Sequence, residues 1–119
     1  MILVDTSVWI DHLRHSERRL AQLLENRSVL THPLVIEELA CGHLRDRSGI
    51  VDLLHSLPSS PVVTHIEVLG LISNKTLYGV GLGAIDVHLI ASAMLAGAGL
   101  WSKDKILSRE AARLGLALK

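Results

Sequence analysis

Four acidic side chains fall where a chain of alternating strands and helices would gather them. Asp5 follows the apolar run Ile2-Leu3-Val4, and Asp104 follows Leu100-Trp101-Ser102-Lys103. Asp86 opens a helical pattern after Gly83-Ala84-Ile85, and Glu38 lies within Pro33-Leu34-Val35-Ile36-Glu37-Glu38-Leu39. A lone ionised carboxylate in apolar surroundings raises its pKa and goes neutral, whereas several together stay ionised when a divalent cation fills the space between them. The cluster therefore reads first as a metal site. The competing reading is local: Asp5, Asp86 and Asp104 all stand near expected helix starts, where Asp accepts free N–H groups and suits the macrodipole for about 1 kcal/mol each. Capping explains any one of the three. It does not explain a mid-helix glutamate on an apolar stripe, which needs a partner if buried. Glu38 has Leu34, Val35, Cys41 and Gly42 at helical spacings, but Glu37 has nearly as apolar a flank, so periodicity leaves that pair open.

Other chemistries find less support. The chain has seven histidines, yet no His-Glu-x-x-His pattern or clustered ligand spacing occurs. His88 stands about 200° around a helix from Asp86, so the two point apart. The histidines read as surface or structural groups. Gly79, Gly81 and Gly83 precede a helix but follow no strand, and no Gly-Lys-Ser/Thr accompanies them, which excludes a phosphate-cradling loop. The single Cys41 excludes an internal disulfide, and it reads as a small buried apolar residue in a reducing compartment.

The elements that must carry the acids follow from the apolar pattern. Of 119 residues, 49% are hydrophobic, enough for one domain over residues 1–119 with a real core. Ile2-Leu3-Val4 reads as a strand, with Ser7 capping a helix through Val8, Trp9, Ile10 and Leu13. A second helix runs from about Glu17 to Asn26, and Ser28-Val29-Leu30-Thr31 is the second strand. Pro33 suits a first helical position and Gly42 a helix stop. Ile50 to Leu54 marks another helix; Val62-Val63 is the expected third strand, and Ile66, Leu69 and Ile72 lie on the helix after it. Ala84–Ala96 is the strongest helical pattern, Ala98-Gly99-Leu100-Trp101 a fourth strand, Lys105–Leu114 the last helix, and Leu116-Ala117-Leu118 a fifth strand. Such alternation implies right-handed crossovers and a parallel sheet covered on both faces, with functional groups beyond the strands' carboxyl ends. If the first and fourth strands are neighbours, Asp5 and Asp104 face one another there.

Composition narrows the partners. Only 3% of the residues are aromatic, so base stacking is not the main binding device, and the formal net charge is zero. Arg14, Arg18, Arg19, Arg27, Arg45 and Arg47 in the first half, with Lys103, Lys105, Arg109, Arg113 and Lys119 at the end, either rim an acidic pocket or form solvated helix faces. No apolar stretch reaches membrane-spanning length, and Met1-Ile2-Leu3-Val4-Asp5 lacks the basic start of a signal peptide, so a cytoplasmic protein is expected.

Asp5-Thr6-Ser7-Val8-Trp9-Ile10, Glu38-Leu39 with Gly42, Gly83-Ala84-Ile85-Asp86-Val87-His88-Leu89-Ile90-Ala91 and Leu100-Trp101-Ser102-Lys103-Asp104-Lys105 together resemble the successive motifs of the PIN-domain ribonucleases, and more narrowly of VapC-type toxins. The resemblance runs from residue 2 to about 115 and selects Glu38 over Glu37. It implies a three-layer α/β/α fold with a short central parallel sheet and hydrolysis of RNA phosphodiesters with Mg2+ or Mn2+. Asp5, Asp86 and Asp104 would be metal ligands, and Glu38 a ligand or an orienter of the attacking water. Ser7 and Ser102 would position substrate or water, or else cap helices. A VapB-type antitoxin and a homodimer are the implied partners. The antitoxin would meet apolar faces around Trp9–Leu24 and Ile50–Leu57, unless those faces pack internally. One departure stands out: many relatives carry a further acid where this chain has Ile106. The alternatives are a catalytically weak PIN-like module that binds RNA or protein, and a receiver-like signalling domain. The latter needs an acid ending the middle strand, whereas Asp52 lies in a helical pattern.

Overall fold

The computed structural model describes residues 1–118. Its elements are β1 (Ile2–Val4), α1 (Thr6–His15), α2 (Arg18–Glu25), β2 (Val29–Leu30), α3 (Pro33–Cys41), α4 (Arg47–Ser56), α5 (His65–Asn74), α6 (Ala84–Ala96), β3 (Gly99–Trp101) and α7 (Lys105–Arg113). The strands form one parallel sheet in the order β2-β1-β3. Leu3 pairs with Leu30 on one side and Leu100 on the other, and Val4 with Trp101. Helices cover the sheet as a three-layer α/β/α fold. A parallel sheet this short holds only because its middle strand is buried: Leu3 and Val4 are wholly inaccessible, packed with Trp9, Leu20, Leu89, Ile90 and Leu107. With no Phe in the chain, branched aliphatics and alanines fill the interior.

α6 shows why the pattern over 84–96 is so strong. Val87, Leu89, Ile90, Ala91, Ser92 and Ala93 are all buried, and the helix packs on β1 and β3. An almost uniformly apolar helix belongs inside. It stops at Gly97, whose φ of 63° favours a residue without Cβ. α3 begins with Pro33 and ends against Gly42, as its sequence predicts.

Four expectations fail, each for a local reason. Val62-Val63 is not a strand: sheet pairing beyond β2 is a single bridge, Thr31 to Ser59, and Pro61, which has no N–H to donate, follows at once. Nor is Leu116-Ala117-Leu118 a strand. The Leu116 carbonyl accepts from Leu100 N at 2.8 Å, but its own N–H turns back to the Ala111 carbonyl at 2.8 Å and closes α7, so no ladder can continue. Cys41 is exposed on the last turn of α3 rather than buried. Ser7 does not cap α1; Asp5 does, its carboxylate accepting from Ser7 N.

Candidate active site

Every strand is parallel, so the carboxyl ends of all three strands lie on one edge, and β1 and β3 are the neighbours that bring the first and last motifs together. Asp5 N donates to the Trp101 carbonyl at 2.9 Å, which fixes the backbone of Asp5 against the end of β3. The Asp5 side chain is buried at 6% exposure, and hydroxyls converge on its Oδ2: Ser7 Oγ at 2.6 Å and Ser102 Oγ at 2.8 Å, with Ser7 N at 3.3 Å. Ser7 Oγ and Ser102 Oγ stand 3.3 Å apart, and they also accept from Lys103 N and Asp104 N at 2.9 and 3.0 Å. Donors on one oxygen fix the orientation of a buried carboxylate. Ser7 and Ser102, expected to touch substrate or water, are thus the groups that orient Asp5.

Asp104 caps α7, its Oδ1 accepting from Leu107 N at 2.9 Å. Asp86 sits at the third position of α6, and its Oδ2 reaches back to Gly83 N at 3.0 Å. Partial burial pushes the Asp86 carboxyl above the ordinary range; the Gly83 bond opposes this, and the charges of Asp5 and Asp104 add to it. Asp86 therefore lies within the field of both Asp5 and Asp104. Glu38, exposed on α3, joins them through α1: Thr6 Oγ1 donates to its Oε1 at 2.7 Å. Thr6 was legible only as the neighbour of Asp5; its bond across 32 residues was not. Glu38 also opens on a cleft of about 700 Å³ between α1, α3 and the loop into α4, lined by Ile10, Leu13, Arg14, Leu39 and Arg45 among others.

The capping reading holds for all three aspartates. Each aspartate closes a helix N-terminus with one oxygen, and the same strand-to-helix geometry points the group toward its neighbours. Oδ1 of Asp5 and Asp86, Oδ2 of Asp104 and Oε2 of Glu38 make no hydrogen bond to another described residue. An all-oxygen donor set with surplus negative charge fits a hard divalent cation. Among the described residues, however, no three His, Cys, Asp or Glu side chains close around one point at ligating distance. Ile106 supplies no donor; its side chain packs against Gly81, where an added Cβ would stand 2.9 Å from the Ile106 Cδ1. The histidines divide between structural and surface places, with His15, His43, His55 and His65 exposed. His32 is buried and caps α3 through Nδ1, and burial lowers its pKa; His12 Nδ1 accepts from Glu17 N.

The profile of the PIN domain matches residues 2–112, from the strand before Asp5 to the helix after Asp104. The chain belongs to the PIN-domain family. Ribonuclease VapC32 of Mycobacterium tuberculosis, found in two strains, is 52% identical over 119 residues, covering 99% of this chain and 96% of the relative. PIN-domain ribonucleases are dependent on divalent metal. No helix among the described residues is long and apolar enough to cross a membrane.

Proposed function

We propose that this chain is a metal-dependent endoribonuclease, the toxin of a VapBC-type toxin–antitoxin pair, acting in the cytoplasm as a single domain over residues 1–119 and as a homodimer. The observation that carries the reading is the placement of Asp5 and Asp104 beyond the paired ends of β1 and β3 with Asp86 beside them, whose carboxyl is held above its ordinary range first by burial and then by repulsion from those two charges. Mutual repulsion of this kind is what a bound cation relieves. The high identity to a ribonuclease supplies the reaction class.

Asp5, Asp86 and Asp104 would hold Mg2+ or Mn2+, hard cations suited to carboxylate oxygens. Such an ion lowers the pKa of bound water and offsets charge growing on the scissile phosphate. Asp5 is the rigid member, its Oδ2 fixed by Ser7 and Ser102 and its Oδ1 left for the ion. Glu38, steadied by Thr6, would ligate or orient the attacking water through Oε2. Ile10 and Leu13 on α1 and Leu53 on α4 are exposed, apolar positions that suit an antitoxin segment, whereas Leu20 and Leu54 of the same stretches are buried.

Incubating the purified protein with mixed RNA tests this directly. Fragments should accumulate with Mn2+ or Mg2+, cease with chelator, and be absent with Asp5→Asn at every metal concentration. RNA left intact under all conditions would leave only a binding module.

A further inference from the structure

Lys103 lies between Ser102 and Asp104, yet its ammonium pairs with neither Asp5, Asp86 nor Asp104. Its Nζ meets Asp11 Oδ2 at 2.8 Å and Glu17 Oε2 at 2.5 Å, while its backbone N–H donates to Ser7 Oγ at 2.9 Å. Ser7 and Asp11 are four residues apart on α1 and so share one face. Glu17 lies just beyond the end of α1, where its N–H donates to His12 Nδ1 at 3.0 Å and fixes the turn. The lysine therefore lies along α1, fastened at its ammonium by two acids and at its backbone N–H by Ser7. The same segment bonds Ser102 Oγ to Asp5, Asp104 N to Ser102 Oγ, and Ser108 Oγ to the Ser102 carbonyl at 2.8 Å.

We propose that Lys103, clamped by Asp11 and Glu17, is a positioning residue that holds the 102–104 segment against α1 and so sets Asp104 and Ser102 relative to Asp5. The proposal rests on the ribonuclease reading above. Asp5 and Asp104 come from opposite ends of the chain, and the sheet joins them only as far as Trp101; past that strand, the contacts through Ser7, Ser102 and Lys103 fix their separation. Paired carboxylates on one ammonium also keep that cation from folding into the acidic pocket, where it would compete with a divalent ion. An isolated surface ion pair contributes little, so the role is read in geometry rather than in folding stability.

The test is a Mn2+ titration of the purified chain, followed by its melting temperature with no RNA present, alongside kcat and KM for RNA cleavage. Lys103→Met should raise the Mn2+ concentration giving half the melting shift by several-fold and lower kcat, with KM for RNA unchanged. Lys103→Arg, which can reach both acids, should return the midpoint to about the wild-type value. Asp11→Asn combined with Glu17→Gln should reproduce the Lys103→Met midpoint, an independent route should Lys103→Met fail to fold. A Mn2+ midpoint unmoved in Lys103→Met, or in the double variant, overturns the clamp. Raised KM with unchanged kcat and midpoint also overturns it, and makes Lys103 a phosphate contact. Wild-type protein that gains stability from Mn2+ but cleaves no RNA would refute the ribonuclease reading while leaving the clamp measurable; absence of any Mn2+ shift would refute both.

Discussion

Asp86 is the residue at which a cap and a metal ligand differ in sign. Its carboxyl is raised in the fold, so the folded chain keeps the proton to higher pH than the unfolded chain does. The stability this gives is full below the ordinary value of 3.8 and is lost as pH rises through the folded value. At neutral pH the ionised side chain therefore works against folding. Asp86→Asn removes the charge and still accepts from Gly83 N, so metal-free protein should melt at the same temperature or higher, while Mn2+-dependent cleavage and Mn2+-induced stabilisation vanish. Asp86→Ala also strands the Gly83 N–H and should cost about 1 kcal/mol relative to Asp86→Asn. Differential melting with chelator and with Mn2+ reads both effects. An Asp86→Asn protein that gains as much from Mn2+ as wild type would remove Asp86 from the metal site.

At the scale of elements, α7 does more than present Asp104. Buried Glu110 accepts from Arg113 Nε at 2.8 Å and Arg109 Nε at 3.1 Å. Those arginines then donate to the Lys75 carbonyl at 2.9 Å and the Val80 carbonyl at 3.3 Å. With Ile106 beneath Gly81, α7 carries the segment from 75 to 83 that leads into Asp86. The hydrogen bond from Arg113, then that from Arg109, holds the Glu110 carboxyl below its ordinary value. Its contribution is thus present above that ordinary pKa and disappears as pH falls through the folded one. Glu110→Gln should lower the melting temperature at pH 7, and the gap to wild type should close in acid. An equal gap at pH 7 and pH 3 would show that the charge of Glu110 does not hold the arginines.

For the whole molecule, the consequence of the proposed activity is growth arrest. A chain that hydrolyses cellular RNA should slow growth when expressed without an antitoxin, and Asp5→Asn should relieve the arrest at equal protein level. Asp5 is the sharpest choice because its backbone is fixed by β3 and its side chain by two serines. The Asn side chain keeps the size of the original while giving up the anionic oxygens. Culture density after induction, with protein quantified by blot, is sufficient. Equal growth of both strains would argue against toxicity.

The sequence alone determined what depends on neighbours along the chain. Residue spacing placed β1, α3, α6 and α7, since apolar period, Pro33 and Gly42 act within a few residues. The order of the acidic motifs identified the family and picked out Asp5, Glu38, Asp86 and Asp104. Local pattern could not say whether Val62-Val63 and Leu116–Leu118 would pair, because pairing needs free backbone groups on a partner, and Pro61 and the turn back to Ala111 removed them. It left Cys41 looking buried, because exposure at a helix end depends on what packs there. Only tertiary structure joined Thr6 to Glu38, turned Ser7 and Ser102 onto one oxygen of Asp5, and laid Lys103 along α1. Apart from the local bond of Ser7 to Asp5, those contacts span dozens of residues, and a hydrogen bond's few ångströms are set there by how the sheet and helices pack rather than by any spacing in the chain.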